Sequence, residues 1–247
     1  MSKSTGQIVY QISHLRKIYQ ERCVLDVENF NVKQGEIVAI IGPSGSGKST
    51  LLRIMNFLEM PSEGQVEFMG AIFEQGKEMP LALRRRVTTV FQRPILLNRT
   101  VEENVAFALS LHGKEKSQNK VNQALNEVGL EKLNNQRART LSAGEAQRVA
   151  LARAMVIQPD VLMFDEPTAN LDPYNVLLIE QIIQRLNREF GITIILVTHN
   201  LFQAKRLAGR VAFLLEGMII EINDTALLFQ NPQDPRTRSF LLGDMVY

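Results

Sequence analysis

Nine consecutive residues, Gly42-Pro43-Ser44-Gly45-Ser46-Gly47-Lys48-Ser49-Thr50, have the types and spacing needed to hold a chain of phosphates. Glycines let the backbone curl until successive N–H groups face inward onto phosphate oxygens. A helix that follows such a loop adds its unpaired N-terminal donors and the positive end of its dipole. Lys48 brings a full charge to the β and γ phosphates, and Ser49 offers a hydroxyl to Mg2+. A plain glycine turn with a surface lysine is the alternative. It would need neither the apolar run before the loop, Glu36 to Ile41, nor the helix-like stretch after it, Thr50 to Leu58. The loop by itself does not separate an ATPase from a GTPase or a small-molecule kinase.

A second chemical feature is the hydrophobic run Val161-Leu162-Met163-Phe164 ending in Asp165 and Glu166. Ligands gather at strand ends in open α/β sheets. There, Asp165 is placed to hold Mg2+ as the acidic partner of the phosphate loop. Glu166, one residue on and pointing elsewhere, is a candidate to polarise an attacking water. Asp-Glu-Pro is also an ordinary strand terminator, and only the phosphate loop lifts the functional reading above that one.

Positioning these groups requires strands that end near one another. Strand character is read at Ile8 to Tyr10, Val24 to Val32, Glu36 to Ile41, Gln65 to Phe68, Val87 to Phe91, Val161 to Phe164, Thr193 to Thr198 and Val211 to Leu215. Helices are read at Leu81 to Arg86, Asn175 to Phe190 and Leu201 to Leu207. Val101 to Met155 is rich in helix formers and poor in strand signals, so it reads as a helical insert. The tail from Asp224 is expected to open with a helix and turn polar around Asn231 to Arg238. Strands alternating with helices predict an α/β fold with a mostly parallel sheet covered on both faces.

Bulk properties exclude several classes. At 247 residues with 45% hydrophobic and 22% charged residues, the chain can bury a core and is not dominated by disorder. A net charge of +2 argues for neither nucleic acid nor anionic lipid as a partner. The run Arg84-Arg85-Arg86 is read as solvated surface. Cys23 is the single cysteine, so no intrachain disulfide forms, which fits a reducing compartment. Met1 to Tyr10 lacks the apolar core of a signal peptide, and no stretch reaches the ~18 apolar residues of a membrane span.

With Leu141-Ser142-Ala143-Gly144-Glu145 ahead of the acidic strand, and with Gln92, Asp172 and His199, the chain resembles an ATP-binding-cassette (ABC) transporter ATPase over nearly its whole length. That resemblance implies a P-loop NTPase (RecA-like) fold: a mostly parallel sheet with an antiparallel β subdomain and a helical subdomain. One ABC ATPase domain would span 1–247, with 1–91 and 159–247 as nucleotide-binding core and 92–158 as helical subdomain. The family's signature is usually Leu-Ser-Gly-Gly-Gln, so Ala143 and Glu145 are departures. Ser142-x-x-Glu145 is at the same time a capping box, and a capped helix start is itself a phosphate site.

By resemblance, Ser142 and Gly144 meet the γ-phosphate held by the phosphate loop of a second copy, so ATP and Mg2+ are shared across a homodimer, and Glu145 sets a carboxylate near those phosphates, a repulsion expected to weaken nucleotide affinity. Gln92 senses the γ-phosphate, touches Mg2+ and links to membrane subunits. His199 contacts the γ-phosphate and orients the water that Glu166 activates, and Lys48 stabilises the charge that develops. Asp172 addresses the opposite subunit, and Tyr19 stacks on adenine. A separate integral membrane permease and, indirectly, a solute-binding protein would complete the system on the cytoplasmic face of the inner membrane. Thr168 to Asn175 and Gly243 to Tyr247 look similar to tungstate importer ATPases, and Asn231 to Thr237 to phosphate importers. Polar amino-acid importers and non-transport ABC proteins remain alternatives, as do a P-loop kinase or GTPase and a binding module that has lost catalysis.

Overall fold

The computed structural model describes residues 6–113 and 117–245. The expectations about Met1 to Thr5, and about Val246 and Tyr247, lie outside the described residues, as does the stretch 114–116 of the helical insert. The chain begins with two long antiparallel strands, β1 (Ile8–Tyr19) and β2 (Arg22–Lys33). The fully buried β3 (Ile37–Ile41) then leads through the phosphate loop into α1 (Lys48–Met55). A hairpin of β4 (Glu63–Phe68) and β5 (Ala71–Glu74) is followed by the short α2 (Leu81–Arg84) and by β6 (Val87–Phe91). Three helices come next: α3 (Val101–Leu111), α4 (Gln118–Glu127) and α5 (Ala143–Met155). The chain then alternates through β7 (Val161–Asp165), α6 (Pro173–Phe190), β8 (Thr193–Val197), α7 (Leu201–Leu207) and β9 (Arg210–Leu215). It closes with β10 (Met218–Asp224), α8 (Thr225–Gln230) and α9 (Pro235–Leu242).

A six-stranded sheet runs β10-β9-β3-β8-β7-β6, parallel except for β10 at one edge. A four-stranded antiparallel sheet runs β2-β1-β4-β5. Because successive strand residues point to opposite faces, the large sheet feeds two cores. Ala39, Ile41, Leu162, Phe164, Ile194 and Leu196 face the helices α3 to α7. Val38, Ile40, Val161, Met163, Ile195 and Val197 face α1 and the small sheet. This double burial explains why β3, β7 and β8 read as unbroken apolar runs rather than alternating ones. On the small-sheet side, Tyr10, Phe57, Phe68 and Phe73 pack ring against ring, and the Tyr10 hydroxyl donates to Met55 O at 3.0 Å.

Several boundaries differ from the sequence reading, each for a local reason. β1 runs on to Tyr19 because His14, at φ 50°, makes an irregularity that resets the buried positions from Ile12 to Leu15. α1 begins at Lys48 and stops before Phe57, whose φ of 58° ends it, so Leu58 is outside the helix. β5 and β10 carry no strand signal in the sequence, since both lie at sheet edges with half-exposed residues. The polar tail forms α9, with Asp234 as cap, Pro235 in the first turn and Gly243 at the left-handed end. Arg86 is not merely solvated: it donates to Asp160 Oδ2 at 2.6 Å and fastens the start of β6 to that of β7. Among the described residues, no helix is long and apolar enough to cross a membrane.

Candidate functional site

Four adjacent parallel strands, β3, β8, β7 and β6, end along one edge of the large sheet. Their register aligns Ile40 with Val197, Val197 with Asp165, and Asp165 with Phe91. The phosphate loop, His199, Glu166 and Gln92 therefore leave the sheet side by side. This is the edge at which open α/β folds bind ligands.

The loop's shape depends on two glycines in particular. At Gly42, φ is 153°, and a Cβ would lie 2.0 Å from Leu214 O. At Gly47, φ is 103°, and a Cβ would lie 2.7 Å from a Leu25 methyl. Only glycine tolerates both the backbone and the crowding. The turn between β9 and β10 then clamps the loop from behind: Gly217 N–H donates to Ser46 O at 3.0 Å, and Asp26 N–H donates to Gly217 O at 2.9 Å.

Lys48 is 6% exposed, and its ammonium donates to Gly42 O at 2.9 Å and Pro43 O at 2.6 Å. Burial lowers its pKa, while the charges of Glu166 and Asp165 oppose that shift. The Ser49 hydroxyl donates to Asp165 Oδ1 at 3.1 Å. Asp165 is pushed up by burial and by the neighbouring Glu166, against the Ser49 bond and the Lys48 charge. Ser46 Oγ is buried with no partner within the protein. A cradle of backbone donors, one buried cation, an orphaned hydroxyl and a hydroxyl–carboxylate pair suits a phosphate chain carrying a hard, oxygen-seeking cation.

Glu166 adopts φ 49°, a strained conformation for a non-glycine residue, and its N–H is held by Val197 O at 2.9 Å. The turn brings its carboxylate to His199, whose Nδ1 lies 3.1 Å from Glu166 Oε2. The imidazole side chain is 61% exposed, so this dyad faces open space rather than the core. A carboxylate so placed can accept a proton from water, with the imidazole fixing its direction.

The remaining candidates stand around this edge. Gln92 is exposed just past β6. Gln147, missed by the sequence reading, is 2% exposed on α5 and donates to Phe91 O at 3.0 Å, tying that helix to the last residue of β6, next to Gln92. Tyr19 closes β1, half-exposed, with its hydroxyl donating to Glu59 and the Lys17 ammonium 5.0 Å from its ring. Burial and the Glu59 bond raise the Tyr19 pKa. Glu59 also meets Lys17 at 3.2 Å and Arg53 at 3.5 Å, and nothing in the local sequence pattern singled it out.

Ser142 caps α5 in a full capping box: its Oγ accepts from Glu145 N–H at 3.3 Å, and its own N–H donates to Glu145 Oε2 at 2.8 Å. Ala143 is helical there, so alanine is accommodated without strain. Asp172 caps α6, accepting from Asn175 N–H at 3.0 Å. Ser142 and Gly144 are bonded or packed to Glu145 and Asn175, not to residues 42–50. The phosphate loop, Asp165, Glu166 and His199 form one group, and the α5 start with Asp172 forms another.

Comparison with known proteins gives a consistent picture. A family profile described as ABC transporter matches residues 25–169. The phosphate import ATP-binding protein PstB 2 of Natronomonas pharaonis is 42% identical, covering 98% of this chain and 88% of its own. The tungstate uptake system ATP-binding protein TupC of Peptoclostridium acidaminophilum is 42% identical, covering 85% and 96%. Among solved structures, a dimeric post-hydrolysis state of the ATP-binding cassette MJ0796 bound to ADP and Pi superposes with a TM-score of 0.77. It is 32% identical and covers 87% of this chain and 98% of its own.

Proposed function

From the chain's membership of the ABC transporter family, in which it is an ATP-hydrolysing importer subunit, we propose that it powers uptake of a small oxyanion, tungstate first and phosphate second, through a separate permease. The observation that carries the catalytic reading is the convergence of Lys48, Ser49, Asp165, Glu166 and His199 on one sheet edge. Support for the oxyanion comes from 42% identity to both a phosphate and a tungstate import subunit, and 40% identity to a methionine import subunit of Francisella tularensis keeps an amino acid as the second reading.

In this reading the loop N–H groups and Lys48 bind the β and γ phosphates, and Lys48 exchanges its two backbone carbonyls for phosphate oxygens. Ser49 and Asp165, with Gln92, would hold Mg2+, which would supply neutralising charge to the phosphate oxygens. Glu166 takes the proton of the attacking water while His199 orients both. Tyr19 offers an aromatic face to adenine, braced by Glu59 and Lys17. Two copies face each other, each presenting Ser142 and Gly144, with Glu145, to the triphosphate on its partner, and Asp172 lies in that contact. MJ0796, described as dimeric with ADP and Pi, supports this arrangement.

Division of labour follows: 1–91 with 159–247 form the nucleotide-binding core, and 92–158 form the helical unit. Beside Gln92 an open groove exposes Leu58, Leu81, Phe91, Ile95 and Leu111, with Arg84, Arg85 and Arg93 at its rim. This is where an integral permease would dock, placing the protein at the cytoplasmic face of the membrane and, through the permease, in contact with a solute-binding protein.

Glu166→Gln tests the core of the proposal. Turnover is expected to fall by roughly a hundredfold or more while ATP is still bound and subunits accumulate as pairs. Normal turnover would remove Glu166 as the base. Uptake assays in a deletion strain with tungstate, molybdate, phosphate and amino acids test the solute.

A further inference from the structure

We infer that Asn175 is a positioning residue that locks the start of α5 to the Asp172 turn, so that Ser142, Gly144 and Asp172 move as one unit. The inference rests on the reading that these segments face a second subunit, and deepens it by naming the part that keeps them in register.

Three contacts converge on the Asn175 side chain, and its backbone adds a fourth. Asn175 Nδ2 donates to Asp172 Oδ2 at 2.6 Å, while the Asn175 backbone N–H donates to Asp172 Oδ1 at 3.0 Å. On the other side, Arg148 Nη1 of α5 donates to Asn175 Oδ1. Between them, the amide lies against Gly144: a Cβ there would be 2.3 Å from Asn175 Cγ and Oδ1 and 2.6 Å from Nδ2. Gly144 and Arg148 are one helical turn apart on α5, so the amide is gripped along one face of that helix.

The chemistry of the link is specific. A carboxamide accepts on one edge and donates on the other. Arg148 requires the acceptor and the Asp172 carboxylate the donor, so no apolar side chain serves both. An aspartate at 175 would keep the Arg148 contact but set two carboxylates against each other. Asp172 is held below the usual carboxylate range, first by the Asn175 side chain, so it remains a charged and therefore stronger acceptor. The missing side chain at residue 144 thus has a second use within one subunit: it admits the amide that ties two segments together. Displacement of the Asp172 turn is passed to the α5 start through a single residue, with no need for a hinge between them.

The test uses the full chain with Asn175→Ala, Asn175→Asp and the same changes on a Glu166→Gln background. The lock predicts that kcat falls roughly tenfold to a hundredfold, because the α5 start is misplaced, while ADP affinity of the single subunit stays within about twofold. In the Glu166→Gln background, roughly tenfold more ATP should be needed to drive pairing, read by light scattering. Turnover and pairing close to the parent would overturn the inference. So would a parallel loss of rate and ADP affinity, which would mark Asn175 as generally structural. If Asn175→Ala does not fold, Asn175→Asp, of equal size, carries the same expectations. If the Glu166→Gln parent itself fails to pair, the paired-subunit reading falls and the lock, which rests on it, falls with it; if that parent pairs and only the Asn175 variants fail to weaken pairing or turnover, the lock alone is overturned.

Discussion

At the scale of single residues, Glu145 shows how a departure from a family pattern becomes interpretable. Its carboxylate accepts from the Ser142 backbone N–H at 2.8 Å and from the Ser142 hydroxyl at 2.8 Å. Those two bonds, the backbone one first, depress its pKa below the usual range. The folded state therefore binds fewer protons than the unfolded one, and the stabilisation is complete above the unfolded value of about 4.3. It is lost as pH falls through the lower folded value. Melting temperatures followed on the acid side should accordingly drop more steeply for the parent than for Glu145→Gln, and equal slopes would deny the box its charge. The capping box was legible from Ser142-x-x-Glu145, and so was the gathering of Lys48, Asp165 and Glu166 at one end of the sheet, because each belongs to a short, contiguous pattern. Glu59, Gln147 and the Arg148–Asn175 link were not, because the partners lie 40, 56 and 27 residues apart; only the bond of Asn175 to Asp172 is local.

At the scale of elements, the buried strands were read correctly because double-sided burial leaves an unbroken apolar signature, as in β3 and β8. Edge strands β5 and β10 carry no such signature, and the His14 irregularity hid the far half of β1. The phosphate loop gives the sharpest element-level expectation. Gly42→Ala must move a Cβ away from Leu214 O, which belongs to the backbone of β9 and cannot swing aside. A loss of at least ~3 kcal/mol is expected, lowering the melting temperature by about 10 °C. A variant melting like the parent would show that the loop relaxes more readily than its contacts imply.

At the scale of the whole molecule, the large sheet separates two cores, one closed by helices and the other by the small sheet. That layering places the catalytic edge and the groove beside Gln92 on connected surfaces. Ile95, 85% exposed in the groove, gives the docking test. Ile95→Glu is expected to abolish co-purification with the permease while leaving the melting temperature unchanged, and undiminished recovery of the complex would move the docking site elsewhere. Finally, Gly217, at the tip of a hairpin, bonds both Ser46 of the phosphate loop and Asp26 of β2. Growing from the ribosome, the polypeptide displays its nucleotide motif long before it acquires this fastener. A nascent protein halted short of Gly217 would carry the letters of the motif without the grip.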